Sequence, residues 1–107
     1  MRNITEFRIY GTVFGLTEED FAKLKTELPF ENLSFSNSVL DIDHEGPWVD
    51  VEEALDRLTS RLGPDGRGGL DVIDNHQWQI TRYALRPGGY DSRTFDLDNV
   101  MEHVRPN

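Results

Sequence analysis

Residues 50–64 carry a pattern that a helix satisfies and a strand does not. Val51, Ala54, Leu55, Leu58 and Leu62 are spaced i, i+3, i+4, i+7 and i+11, so helical geometry gathers all five on one stripe. Asp50 stands at the N-cap with Glu53 in the reciprocal position, and Gly63-Pro64 closes the far end. A short helix with one apolar stripe is marginal alone in water, so the stripe has to lie on another element. What it lies on must be read from the segments with a period of two.

Those segments flank it on both sides. Within residues 3–14, Phe7, Ile9 and Val13 share one face with Gly11, while Glu6, Arg8, Tyr10 and Thr12 share the other, which is the alternation of a half-buried strand. Thr17 then caps a helix of about three turns, with Asp20 completing a capping box, Leu16 placed to staple against Phe21, an apolar face of Phe21, Leu24 and Leu28, and Pro29 as the stop. Apolar runs at 33–35 and 39–42 around Ser36-Asn37-Ser38 predict a hairpin. The glycines of residues 63–69 close a helix and precede a strand, whereas a phosphate cradle opens a helix, so a helix cap and mobile loop are expected there.

Residues 70–73 then read as a strand, Asp74-Asn75-His76 as a turn, and 77–85 as a long strand. In that strand Trp78, Ile80, Arg82 and Ala84 share one face and Gln79, Thr81, Tyr83 and Leu85 the other, so apolar bulk on both sides predicts an interior position. Arg86-Pro87-Gly88-Gly89 turns the chain into a strand over 90–97, and Asp96 or Asp98 caps a short final helix through Val100, Met101 and Val104. The sum is a single α+β domain over residues 1–107: a two-layer sandwich with a mainly antiparallel sheet and two helices on one face. Its element order resembles the ferredoxin-like βαββαβ pattern, extended by C-terminal strands and a short terminal helix. That superfold hosts many functions, so the resemblance carries none.

The absence of cysteine removes disulfides, thiolate catalysis and cysteine-based metal sites together. No apolar run approaches the roughly 20 residues that span a bilayer, and the N-terminus lacks a basic segment followed by an apolar one; a cytoplasmic location follows as the expectation. Nine of the eleven basic residues are arginine, which fits a GC-rich bacterial source. The net charge of −9 is more informative once located. Residues 26–56 contain nine acids and no Lys or Arg, while the remainder holds eleven of each sign. Such a segment repels nucleic-acid phosphates and anionic membranes and attracts a basic protein partner or cations.

Three constellations carry candidate chemistry. Asp41, Asp43, Glu45, Gly46 and Glu52 occupy positions 1, 3, 5, 6 and 12 of a calcium-loop pattern. Against that reading, position 5 is the long Glu45, position 8 is Trp48, and a strand instead of a helix leads in. His44, His76 and His103 stand at no metal-ligand spacing and read as surface residues, with alternation placing His44 on the opposite face from Asp41, Asp43 and Glu45; a dyad of His76 with Asp71 or Asp74 has no motif behind it. Trp48, after Pro47 in a polar stretch, either folds back as a lid on the core, the commoner fate of a loop tryptophan, or stands among the acids as a binding anchor.

The leading expectation is therefore a non-enzymatic, immunity- or inhibitor-like acidic module that meets a basic partner through residues 26–56, with Asp41, Asp43, Glu45, Trp48, Asp50 and Glu52 at the contact. One alternative is a calcium- or magnesium-binding domain using Asp41, Asp43, Glu45 and Glu52. The other is a small enzyme or small-ligand binder with a cleft between sheet and loop, involving His76 or Arg82. No catalytic motif and no further cofactor is indicated.

Overall fold

A computed structural model describes residues 6–97. In chain order these form β1 (Phe7–Phe14), α1 (Glu18–Leu24), β2 (Asn32–Ser36), β3 (Val39–Gly46), α2 (Val51–Ser60), β4 (Arg67–Asp74), β5 (Gln79–Arg86) and β6 (Gly89–Asp96). The six strands make one antiparallel sheet in the order β2-β3-β1-β4-β5-β6. The connection β1-α1-β2 leaves a gap that β3 fills, and β3-α2-β4 leaves a gap that β1 fills. Two interleaved split βαβ units result, so the ferredoxin-like resemblance extends from element order to strand order, with β5 and β6 added by hairpins. The sandwich is α+β in two layers, as the two periodicities predict.

Both helices lie on the same face of the sheet. Leu24 of α1 and Val51, Ala54, Leu55 and Leu58 of α2 join Ile9, Val13, Leu40, Ile42, Leu70 and Leu85 in one buried cluster. Local chemistry explains the helix starts. Thr17 Oγ1 accepts the Asp20 N–H at 3.0 Å while the Asp20 carboxylate accepts the Thr17 N–H at 3.2 Å. Asp50 accepts the Glu53 N–H at 3.1 Å, but Glu53 does not reach back; its carboxylate takes Arg57 one turn on at 3.1 Å. α1 ends at Leu24, about a turn earlier than expected, and Leu28 enters the core from the turns that follow. No helix among the described residues is long and apolar enough to cross a membrane.

The hairpins form where the sequence places them. Asn37 and Ser38 both take positive φ, 53° and 66°, the two-residue turn whose twist matches the strands it joins. Pro87-Gly88, with Gly88 at 79°, joins β5 to β6.

Two expectations need correction. Residues 67–69 of the expected loop are strand: β4 begins at Arg67 and includes Gly68 and Gly69. Gly68 sits where β1 and β4 approach closely; a Cβ there would stand 2.8 Å from the Thr12 carbonyl oxygen and 3.0 Å from Val13 Cα. Trp78 belongs to the β4–β5 turn and not to the strand. Asp74 Oδ1 accepts the backbone N–H groups of His76 and Gln77 at 2.9 and 3.1 Å, closing a side-chain turn that runs to Trp78 at φ 58°. β5 starts only at Gln79 and, as expected, lies inside the sheet. The expected terminal helix and His103 fall outside the described residues.

Candidate functional site

Strand alternation sorts the acidic stretch onto two sides. Along β3, Leu40, Ile42 and His44 face the helices while Asp41, Asp43 and Glu45 face away. Side chains two apart on a strand stand about 6.6 Å apart in a row, so these carboxylates line the strand without converging. Their partners come from across the β1–β3 ladder: Thr12 Oγ1 donates to Asp41 at 3.0 Å, and Arg8 lies 4.0 Å from Asp43 and 3.5 Å from Glu45. Glu52 is in the first turn of α2, in the layer on the other side of the sheet. The structure therefore does not bring together the four oxygens of the calcium-loop pattern, because residues 41–46 are strand and not loop. Among the described residues no group of three or more His, Asp or Glu is placed to hold a metal ion.

His44 is the site residue that sequence reasoning misplaced. It is 7% exposed rather than on the surface, edge-on to Phe30 with ring centroids 6.3 Å apart. The Glu31 N–H donates to its Nδ1 at 3.1 Å, which puts the ring proton on Nε2, 3.4 Å from the Pro47 carbonyl oxygen. One side chain thus ties the end of β3 to the segment before β2 and to the connector leading into α2. The alternation did place it opposite the acids, and that signal sufficed to predict burial had its polarity not argued the other way.

The connector held by His44 forms the rim of a cleft. Trp48 does not fold back as a lid; it is 64% exposed. Together with Val49, Asp50 and Glu52 it borders an opening of about 190 Å³ floored by Phe7, Ile9, Val72 and Tyr83 from β1, β4 and β5. Tyr90 of β6 meets Tyr83 edge-to-face at 5.7 Å. Burial first, then the charges of Glu52, Asp56 and Asp50, push the Tyr90 hydroxyl above its ordinary pKa; burial, then Glu52 and Tyr90, does the same at Tyr83. The acids of α2 and the two tyrosines therefore share one electrostatic environment. Glu52 and Asp56 have no ion-pair partner among the described residues.

Of the six residues expected at one partner surface, Trp48, Asp50 and Glu52 gather at this cleft, whereas Asp41, Asp43 and Glu45 lie on the opposite side of the sheet. A charge run in sequence has become two separate patches. His76 is exposed in its turn, where Asp74 is already taken by backbone amides, and Asp71 pairs with Arg82 at 3.3 Å. No dyad forms, and neither His76 nor Arg82 lines the cleft.

Fold and site define an α+β sandwich whose second helix overhangs a small acidic cleft with aromatic walls. No family profile, no curated protein and no solved structure matches the chain.

Proposed function

We propose that the chain is a protein-binding module that receives a basic side chain of a partner in the cleft between the 47–50 connector, α2 and β5. The observation that carries this reading is an exposed Trp48 beside Glu52, which has no ion-pair partner among the described residues, over a floor that includes Tyr83. An arginine or lysine has the matching chemistry: its methylene stem covers aromatic and aliphatic surface, and its charged head meets carboxylate and ring face. The opening of about 190 Å³ takes one such side chain, with the remaining contact made by the rim. Exposed tryptophan beside a pocket is the composition of binding hot spots. Neutralisation of a basic partner, in the manner of an immunity protein or inhibitor, is the role that suits an acidic chain of this size.

Trp48 supplies the readout once Trp78 is changed to phenylalanine. A short arginine peptide titrated into the Trp78→Phe protein should change Trp48 emission saturably, weaken as salt is added, and lose roughly tenfold in affinity in Glu52→Gln/Asp56→Asn, about 1.4 kcal/mol. Equal binding of the uncharged citrulline peptide, or an indifferent double variant, rejects the reading.

A further inference from the structure

The sheet face turned away from the helices has its own charge pattern. Its outward residues on β3 and β1 include three carboxylates, Asp41, Asp43 and Glu45, against one guanidinium, Arg8. Those on β4, β5 and β6 include four guanidiniums, Arg67, Arg82, Arg86 and Arg93, against two carboxylates, Asp71 and Asp91. One half thus carries two excess negative charges and the other two excess positive ones. The face as a whole is neutral on a chain whose net charge is −9. It is the surface on which two such acidic molecules can approach with least repulsion.

We propose that this face is a homodimer interface, in which two copies stack with strands aligned about a two-fold axis parallel to the strands and running along the β1–β4 ladder. Strand order makes the consequence definite. In β2-β3-β1-β4-β5-β6, β3 and β5 are equidistant from the β1–β4 ladder, so this axis lays β3 of one copy over β5 of the other. Asp43 and Arg82 occupy the same row, linked through Tyr10 and Asp71, so Asp43 of each copy meets Arg82 of the other. A two-fold axis perpendicular to the strands would instead lay acidic β3 over acidic β3. The charges select between the two axes.

Shape and composition agree with the stacking. Gly69 and Ala84 leave a hollow of about 320 Å³ between Arg82, Asp71 and Arg93, and the same axis carries the β1–β3 ladder of the second copy, with Tyr10 as its largest side chain, over it. Ile73 and Phe95, both half-buried, flank Ile80 in the ladder and are the apolar side chains this end of the face still presents, Ile80 itself being buried already within the single chain. Five strand spacings of about 4.8 Å, with five strands of eight residues and β2 of five at about 3.3 Å per residue, project to roughly 600 Å² before side-chain relief is counted. Stable dimers bury about 800 Å² per partner. Asp43 and Arg82 are each more than half exposed and already touch Arg8 and Asp71 within their own sheet, so stacking joins two pairs into one network.

Sedimentation velocity over a concentration series tests this with charge reversals chosen for mixing. The wild type should dimerise, while Asp43→Arg and Arg82→Asp, each shown folded by circular dichroism, should be monomers, because each alone places like charges in both contacts. An equimolar mixture should dimerise again, since the arginine introduced in one copy then faces the aspartate introduced in the other, and the second contact keeps its native Asp43 and Arg82. A wild type that stays monomeric, as expected if residues outside 6–97 or another protein cover the face, overturns the proposal. So does a dimer indifferent to both reversals, or a mixture that remains monomeric. The cleft beside α2 lies on the other side of the sheet, so peptide binding there is unaffected by either result.

Discussion

Replacing His44 with leucine keeps the volume of a buried side chain and removes both of its polar contacts, which isolates what those contacts contribute. The Glu31 N–H, bonded to Nδ1 at 3.1 Å in a part-buried setting, loses its acceptor, a cost of about 1–3 kcal/mol for a stranded donor. The Pro47 carbonyl at 3.4 Å is a long contact and adds less. His44→Leu should therefore cost about 2 kcal/mol. Asparagine places its amide oxygen near the position of Nδ1, so it can keep the Glu31 bond while giving up the Pro47 contact and some volume; about 1 kcal/mol is expected. His44→Ala adds a cavity among Phe30 and its neighbours and should cost the most, about 3 kcal/mol. At roughly 4 °C per kcal/mol for a domain of this size, leucine lowers Tm by about 8 °C and asparagine by about 4 °C. Urea unfolding followed by far-ultraviolet circular dichroism measures the series. In the Trp78→Phe background, Trp48 emission should also shift without denaturant, because Pro47 anchors the connector that carries it. A leucine variant as stable as the wild type, or an asparagine variant as damaged as leucine, refutes the role assigned to Nδ1.

Three further outcomes follow from the geometry. Gly11→Ala should destabilise by about 2–3 kcal/mol, because its Cβ would stand 2.8 Å from Leu70 Cα and close against the Gly69 carbonyl, whereas Gly63→Ala, with open space around it, serves as a tolerated control; equal melting temperatures for the two reject the close approach of β1 and β4. Thr17→Ala should cost about 1 kcal/mol in chemical denaturation. Burial raises the Asp20 pKa, but the Thr17 amide and hydroxyl and then Arg61 outweigh it and hold the carboxyl below its ordinary 3.8; its contribution is present above that value and lost as pH falls through the lowered one, so Thr17→Ala should flatten the acid limb of the stability profile. Tyr83 and Tyr90, raised from 10.0, contribute stability that is intact below pH about 10 and lost above it as the unfolded chain ionises first; Tyr83→Phe/Tyr90→Phe should lose less stability than the wild type between pH ~9 and ~11, and identical slopes reject the shared environment with Glu52.

Local chemistry made much of this fold legible. Thr17 with Asp20, Asp50 as the cap of α2, and the stripe from Val51 to Leu58 each act within a turn or two and appear where their spacing places them, whereas the reciprocal bond expected from Glu53 goes instead to Arg57. Asn37-Ser38 and Pro87-Gly88 likewise declare their turns. What failed to show in the sequence depends on distant partners. Gly68 reads as loop until β1 is beside it, and His44 reads as surface until the Glu31 amide is there to meet it. The acidic segment was the hardest case. Composition saw nine charges in a row of thirty-one residues, but alternation along β3 sends three of them to one side of the sheet and α2 carries others to the opposite side. The arginines that balance Asp41, Asp43 and Glu45 come largely from β4, β5 and β6, and only the strand order brings them to the same face.

The central position of β1 also governs what can happen while the chain is being made. β1 precedes both of its neighbours in the chain: Phe7 pairs with Gly46 on one edge and Asp74 on the other. At roughly 5–20 residues per second, the strand waits several seconds for its second neighbour to emerge. The β2–β3 hairpin closes within microseconds of its own appearance, and α2 follows with its apolar stripe already formed, but neither finds a finished surface until β4 arrives. Until β4 is present, β1 keeps one edge unpaired, the edge that β4 covers in the finished sheet. β5 and β6 are then added outward from β4 by successive hairpins, each strand meeting its partner as soon as it is made.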